Sequence, residues 1–272
     1  MNADRNPTGI DAFKPAEMAR LVATAGVAKA RLDLVSLTVL GVLAGAFIAF
    51  GALFFLIATT GAGDTFGPAR LLGGVAFSLG LILVIVGGAE LFTGNALIVM
   101  AWAGSEVSTA ELLRNWLVVY VANFFGALII VLAAVAAGTL DLAAGEVGRN
   151  AAKIVEAKAG LAPMETFARA VLCNVLVCLA VWLTFAAQDV TGKILAILWP
   201  ITAFVAIGFE HSVANMFLLP LGLAAGADVT LFEIAENLAI VTLGNVIGGA
   251  GGVATAYWAC YLRLRNSGDQ QT

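Results

Sequence analysis

The chain contains one histidine, and it stands in the string Gly208-Phe209-Glu210-His211-Ser212-Val213-Ala214-Asn215, between a glutamate and an asparagine. Around this string the sequence is apolar from Ile194 to Leu221. An imidazole exchanges protons near neutral pH and offers two distinct ring nitrogens, so it can pass a proton or hold a polar solute. Inside a run long enough to cross a bilayer, an ionisable side chain is costly unless it meets a cavity or a partner, which gives such a residue a functional reading. The plainer reading is a buried ring whose nitrogens bond neighbouring carbonyls. A second apolar run is interrupted in the same way by Gly87-Gly88-Ala89-Glu90-Leu91-Phe92-Thr93-Gly94-Asn95.

Enzyme chemistry is poorly served by these residues. Ser212 adjoins His211, but neighbouring side chains on a helix do not face each other, so a nucleophile–base pair is not expected there, and no other histidine can serve. No catalytic residue is therefore assigned. One histidine and no Cys-x-x-Cys pair leave no recognisable metal site, and no cofactor is expected. Thr191-Gly192-Lys193 lacks the upstream glycine of a phosphate-binding loop. Cys173, Cys178 and Cys260 all fall in apolar stretches and read as reduced, small hydrophobic residues.

The elements that must position these groups are membrane spans. Hydrophobic residues make up 61% of the 272, charged residues 12%, and this balance belongs to an integral all-α membrane protein whose surroundings are a lipid bilayer. The net charge of -4 is spread over loops and termini, with no footprint for nucleic acid. Six apolar runs are long enough to cross, at about 32–60, 70–104, 110–137, 167–187, 193–221 and 230–262. Residues 1–31 form an amphipathic N-terminal segment expected on the membrane surface, 32–265 the transmembrane domain, and 266–272 a tail. An even number of spans puts both termini on one side. Nine Lys and Arg fall on that side against five on the other, which places the termini in the cytoplasm.

The second and fifth spans carry the two interruptions and read as broken helices, tolerated at that depth only where they line a cavity or are buried in protein. Glu90 is followed 33 residues later by Asn123-Phe124-Phe125-Gly126, and Glu210 35 residues later by Asn245-Val246-Ile247-Gly248. This spacing suggests two halves of three spans, inverted relative to each other because three is odd, with both breaks near the midplane. Helix ends exposed at such breaks favour a small anion. A free carboxylate would oppose that, so Glu90 and Glu210, with Asn215, are expected to be structural at the breaks, the glutamates capping broken helix ends or accepting backbone hydrogen bonds away from any solute path, with capping preferred. Gly244, Gly248 and Gly252, with Gly41 and Gly45, are expected in close helix packing.

Several strings resemble the formate/nitrite transporter family: Phe77 to Leu81, Glu90-Leu91-Phe92-Thr93-Gly94, Cys173-Asn174-Val175-Leu176-Val177-Cys178-Leu179-Ala180, Gly208 to Met216, and Val241 to Gly249. The resemblance runs from the second span to the sixth and is nearest to formate members. It implies an aquaporin-like protomer of six helices in an inverted 3+3 arrangement, assembled as a homopentamer in a bacterial or archaeal cytoplasmic membrane. Each protomer would pass a small weak-acid anion, formate first and nitrite or hydrosulfide as alternatives, together with protons. By motif, His211 would be the central pore histidine, Thr93 the hydroxyl beside it, and Asn174 a residue close to the path. Phe77, Leu81, Leu91 and Phe204 would form apolar constrictions, and Lys158 would draw anions into a vestibule. An ammonium-type pore resembles a twin-histidine arrangement absent here, and a glycerol-type pore needs paired Asn-Pro-Ala motifs that the chain lacks.

Overall fold

The computed structural model describes residues 12–62 and 65–263; the expected C-terminal tail and residues 1–11 of the N-terminal segment lie outside the described residues. Among the described residues every element is helical. The chain runs α1 (Pro15–Ala30), α2 (Leu34–Thr59), α3 (Phe66–Gly87), a 3-10 turn (Gly94–Ile98), α4 (Val99–Ala103), α5 (Thr109–Ala136) and α6 (Glu146–Ala159). It continues with α7 (Pro163–Thr184), α8 (Val190–Ile207), α9 (Ser212–Ala224), α10 (Leu231–Val246), a π-helical segment (Ile247–Ala254) and α11 (Thr255–Tyr261).

Six helical stretches have the length and apolar character to cross a membrane, the last of them Leu231–Tyr261 formed from α10, the π segment and α11. Their ends are set by local chemistry. The Asp33 side chain accepts from Ser36 N–H at the start of α2, and Ser108/Glu111 and Thr230/Glu233 form reciprocal caps on α5 and α10. Inside the spans, side-chain burial divides by face. On α2 and α5, residues such as Val35, Phe54, Leu117 and Leu132 are exposed, while Ala44, Ile48, Val119 and Ala127 are buried. An exterior this apolar is stable only against lipid or another apolar surface.

Two of the six spans stop short. Gly88 ends α3 and Gly208 ends α8, each with positive φ (+80° and +86°), a backbone conformation that costs a residue with a Cβ about 1–2 kcal/mol. After each comes a non-helical loop and then a second short helical piece, Gly94–Ala103 in one case and α9 in the other. The small-residue stripes serve packing within the chain: Gly41 and Gly45 face α5, while Gly244 and Gly248 face α7.

The amphipathic N-terminal helix packs onto protein. Met18, Val22 and Gly26 of α1 are buried, with Met18 and Val22 in one apolar cluster with Ile98, Met100 and Ala254, while Leu21 points outward. Small side chains at Ala19, Ala23 and Ala30 explain the close docking, and the apolar stripe expected on a bilayer surface is covered by the Gly94–Ala103 region instead.

Candidate functional site

The loop after α8 is held by one amide. Asn245 Oδ1 accepts from Ser212 N–H at 2.8 Å, and its Nδ2 donates to Ala170 O (2.8 Å) and Glu210 O (3.0 Å). Buried backbone groups left unpaired would cost about 1–3 kcal/mol each, so this side chain makes the break affordable in a dry interior. The loop after α3 is held the same way. Asn123 Oδ1 accepts from Phe92 N–H at 2.9 Å, and Nδ2 donates to Gly41 O (2.7 Å) and Glu90 O (3.0 Å).

These two loops bring His211 and Thr93 together. His211 is the N-cap residue of α9: its Nδ1 accepts from Ala214 N–H at 3.0 Å. A nitrogen that accepts carries no hydrogen, so the neutral ring bears its proton on Nε2. Nε2 lies 2.9 Å from Thr93 Oγ1 and therefore donates to it, which leaves the threonine's own hydrogen available. Both residues are buried.

Contrary to the sequence expectation, Glu90 and Glu210 do not cap helix ends; α9 is capped by His211, and α3 and α8 end at their glycines. Glu210 takes both oxygens to Lys158 Nζ (2.8 and 2.9 Å) and accepts from Asn215 Nδ2 at 2.7 Å. Glu90 accepts from Lys29 Nζ and from Asn95 Nδ2 at 2.8 Å. A buried carboxylate without a cation or hydrogen-bond donors is heavily penalised, and here a lysine and an asparagine amide supply both. Asn215 in turn donates to Asn237 Oδ1, and Asn95 to Asn115 Oδ1.

The four apolar residues divide between two cavities. Phe77 and Phe204 meet edge to face with ring centroids 5.5 Å apart, and the Phe204 ring lies 5.8 Å from the imidazole. These three residues line one cavity of about 230 Å³, shared with Lys158, Glu210, Arg70 and Arg169. Leu81 and Leu91 line another of about 250 Å³, shared with Lys29, Glu90, Asn95 and Lys193. Each cavity has more cations than carboxylates in its wall. Asn174 stands behind the loop: its Nδ2 donates to Thr93 O (3.2 Å) and Asn245 O (2.7 Å), so it fixes the threonine from the rear. Gly249 in the π segment makes room for that amide, because a Cβ there would collide with Asn174 Nδ2. A π turn at a site of this kind loosens the helix where another group takes a carbonyl, here Asn245 O.

Sequence reasoning missed Lys29, Arg70, Arg169, Asn123 and Asn245 as site residues. The interval from Lys29 to Lys158 equals that from Leu40 to Arg169, whose carbonyls accept from Glu90 and Glu210 N–H, but this equivalence emerges only once those hydrogen bonds are known.

A family model described as formate/nitrite transporter matches residues 16–259. Formate channel FocA of Escherichia coli K12 is 40% identical, with 97% of this chain and 98% of that protein covered. Formate channel BtFdhC of Bacillus thuringiensis is 39% identical over 93% of this chain and 98% of its own length. Two solved structures are similar: a pentameric formate channel with formate bound (TM-score 0.79, 40% identity, covering 85% of this chain and 98% of that one) and an FNT family ion channel (TM-score 0.83, 29% identity, 90% and 98%). Six spans, two loops closed by twin asparagines and a match over nearly the whole length lead to one conclusion: the chain belongs to the formate/nitrite transporter family.

Proposed function

We propose that the protein is a channel for formate in the cytoplasmic membrane, with both termini in the cytoplasm and one pore in each protomer of a homopentamer. The observation that carries this reading is the Thr93–His211 hydrogen bond, set among apolar residues that line two cavities whose walls are net cationic. The relatives named formate channels, and the pentameric neighbour with formate bound, support the choice of substrate and assembly.

Phe77, Phe204, Leu81 and Leu91 are the neck. A bare carboxylate entering it sheds water without compensation, whereas neutral formic acid loses far less. The cations of the cavity walls, which outnumber the carboxylates, concentrate the anion beside the neck. There formate takes a proton that arrives from the bulk as hydronium, leaving water, crosses as the acid, and gives the proton to water on the far side. His211 and Thr93 act as a chain of donors, Nε2–H to the threonine oxygen and the threonine O–H to an oxygen of the solute. Since Nδ1 is occupied by Ala214 N–H, the ring serves as a positioning donor, not a through-ring shuttle.

Proteoliposome uptake tests this directly, with formate, nitrite, hydrosulfide and lactate set against glycerol and methylammonium. Formate uptake should rise as external pH falls, because the proton is part of the permeating species, and the neutral and cationic solutes should stay outside. Uptake of glycerol or methylammonium without formate uptake would reject the reading.

A further inference from the structure

Two arginines converge on the turn at the end of α8. Arg70, from α3, donates through Nε to Ala206 O at 3.0 Å, and Arg169, from α7, donates through Nη1 to Gly208 O at 3.1 Å. Gly208 leaves the space they share: a Cβ there would stand 2.5 Å from Arg70 Nη2 and 3.5 Å from Arg169 Nη1. The two guanidinium nitrogens therefore stand no farther apart than the sum of those distances.

Closing the carbonyl end of a helix is the ordinary task of such cations. It uses one N–H of Arg70, and the bonds of Arg169 to Gly208 and to Glu165 use two more groups. A guanidinium has five donors. Among the described residues Arg70 forms no ion pair; its guanidinium carbon lies over the Phe66 ring, 5.5 Å from the centroid. Two like charges held this close, with donors left over and facing a cavity, are stabilised by an anion set between them.

Lys158 differs in this respect. Both oxygens of Glu210 bind its ammonium, and the pair is largely buried, with side chains 16% and 3% exposed. To a solute in the cavity this pair is close to neutral. The excess positive charge of that wall comes first from Arg70, which has no ion pair among the described residues, and in smaller part from Arg169, whose pair with Glu165 is half-exposed.

We infer that Arg70 and Arg169 form an oxyanion-holding station in the cavity beside the Lys158–Glu210 pair, which grips a carboxylate through both oxygens before it enters the neck. The guanidinium forks match the planar two-oxygen face of a carboxylate better than a lysine point charge does. That the carboxylate held is the permeating one rests on the proposed function; the binding itself does not.

The test is formate binding to the purified full-length protein, followed by the broadening of the 13C-formate resonance, in wild type and in Arg70→Gln/Arg169→Gln. Binding should weaken by about tenfold in the double variant, the factor carried by a lost charge-assisted hydrogen bond. Inorganic sulfate should displace formate from wild type and have little effect on the variant. Arg70→Lys/Arg169→Lys keeps the charge without the fork and should fall between the two. Unchanged formate binding in the glutamine variant would overturn the inference. So would a loss of binding that merely tracks a lower melting temperature in both variants, since the arginines would then be helix closures only. Binding in wild type without uptake into vesicles rejects the transport reading and leaves the station standing.

Discussion

The two halves of the chain build their loops from the same parts and differ where a solute would touch them. Glu90 pairs with Lys29 and Asn95, Glu210 with Lys158 and Asn215; Asn123 and Asn245 close the loops with matching sets of bonds. Counted from the two glutamates, His211 corresponds to Leu91 and Val213 to Thr93. The polar contact between the loops thus comes from one residue of each half, and its counterpart in the other half is apolar. Scaffold groups satisfy buried backbone, a demand that both halves share; a solute on a single path makes a demand that the halves can divide.

Removing that difference gives the largest expected effect. His211→Leu copies Leu91 into the second half, and formate uptake should fall by about tenfold or more through loss of the donor chain. His211→Asn keeps an acceptor for Ala214 N–H but cannot reach Thr93 as the ring does, so uptake should fall with little change in melting temperature. Uptake at wild-type rates in the asparagine variant would reduce His211 to a helix cap.

Removing the likeness comes next. Asn123→Ala and Asn245→Ala each strand one buried N–H and two carbonyls. At about 1–3 kcal/mol per group, each should destabilise by roughly 3 kcal/mol or more, and by similar amounts. Thermal unfolding of the detergent-solubilised protein measures both, and a large inequality between them would end the equivalence of the two loops.

The smallest effect lies at the starts of α2 and α7. Asp33 caps α2, whereas the corresponding Ala162 offers α7 no side-chain acceptor although its backbone is extended in the same way. Ala162→Asp should add about 1 kcal/mol. Bonds from the Ser36 side chain and N–H hold the Asp33 carboxyl below its ordinary value of 3.8. A carboxyl lowered by folding stabilises above the unfolded value and stops doing so as pH falls through the folded one. The melting-temperature difference between wild type and Asp33→Ala should therefore be present at neutral pH and begin to shrink only as pH falls below about 4, disappearing as the folded carboxyl itself is protonated.

Apolar length and its interruptions lie along the chain, so the six spans, the breaks at Gly88 and Gly208 and the interest of His211 could all be read from sequence. Partners cannot be read that way. Lys29 and Glu90 are 61 residues apart, and their meeting depends on α1 docking against the Gly94–Ala103 region, a consequence of alanines and a glycine that look unremarkable in sequence. The role of the glutamates was misread for the same reason: capping is a local event, while neutralisation by a lysine is a tertiary one. Asn174 was placed near the path through resemblance, and its geometry as a brace behind Thr93 depends on the missing side chain of Gly249, contributed by a distant span.

The imidazole at the meeting point of the loops is also the sole histidine of the chain. Uniform 15N labelling, with a purification tag free of histidine, therefore yields a single side-chain imidazole spin system. Its two nitrogens face different masters, Nδ1 the backbone of α9 and Nε2 the hydroxyl of the other half. A shift at Nε2 alone would register the halves moving against each other, and a shift at Nδ1 alone the loosening of one loop, so one natural probe separates two motions.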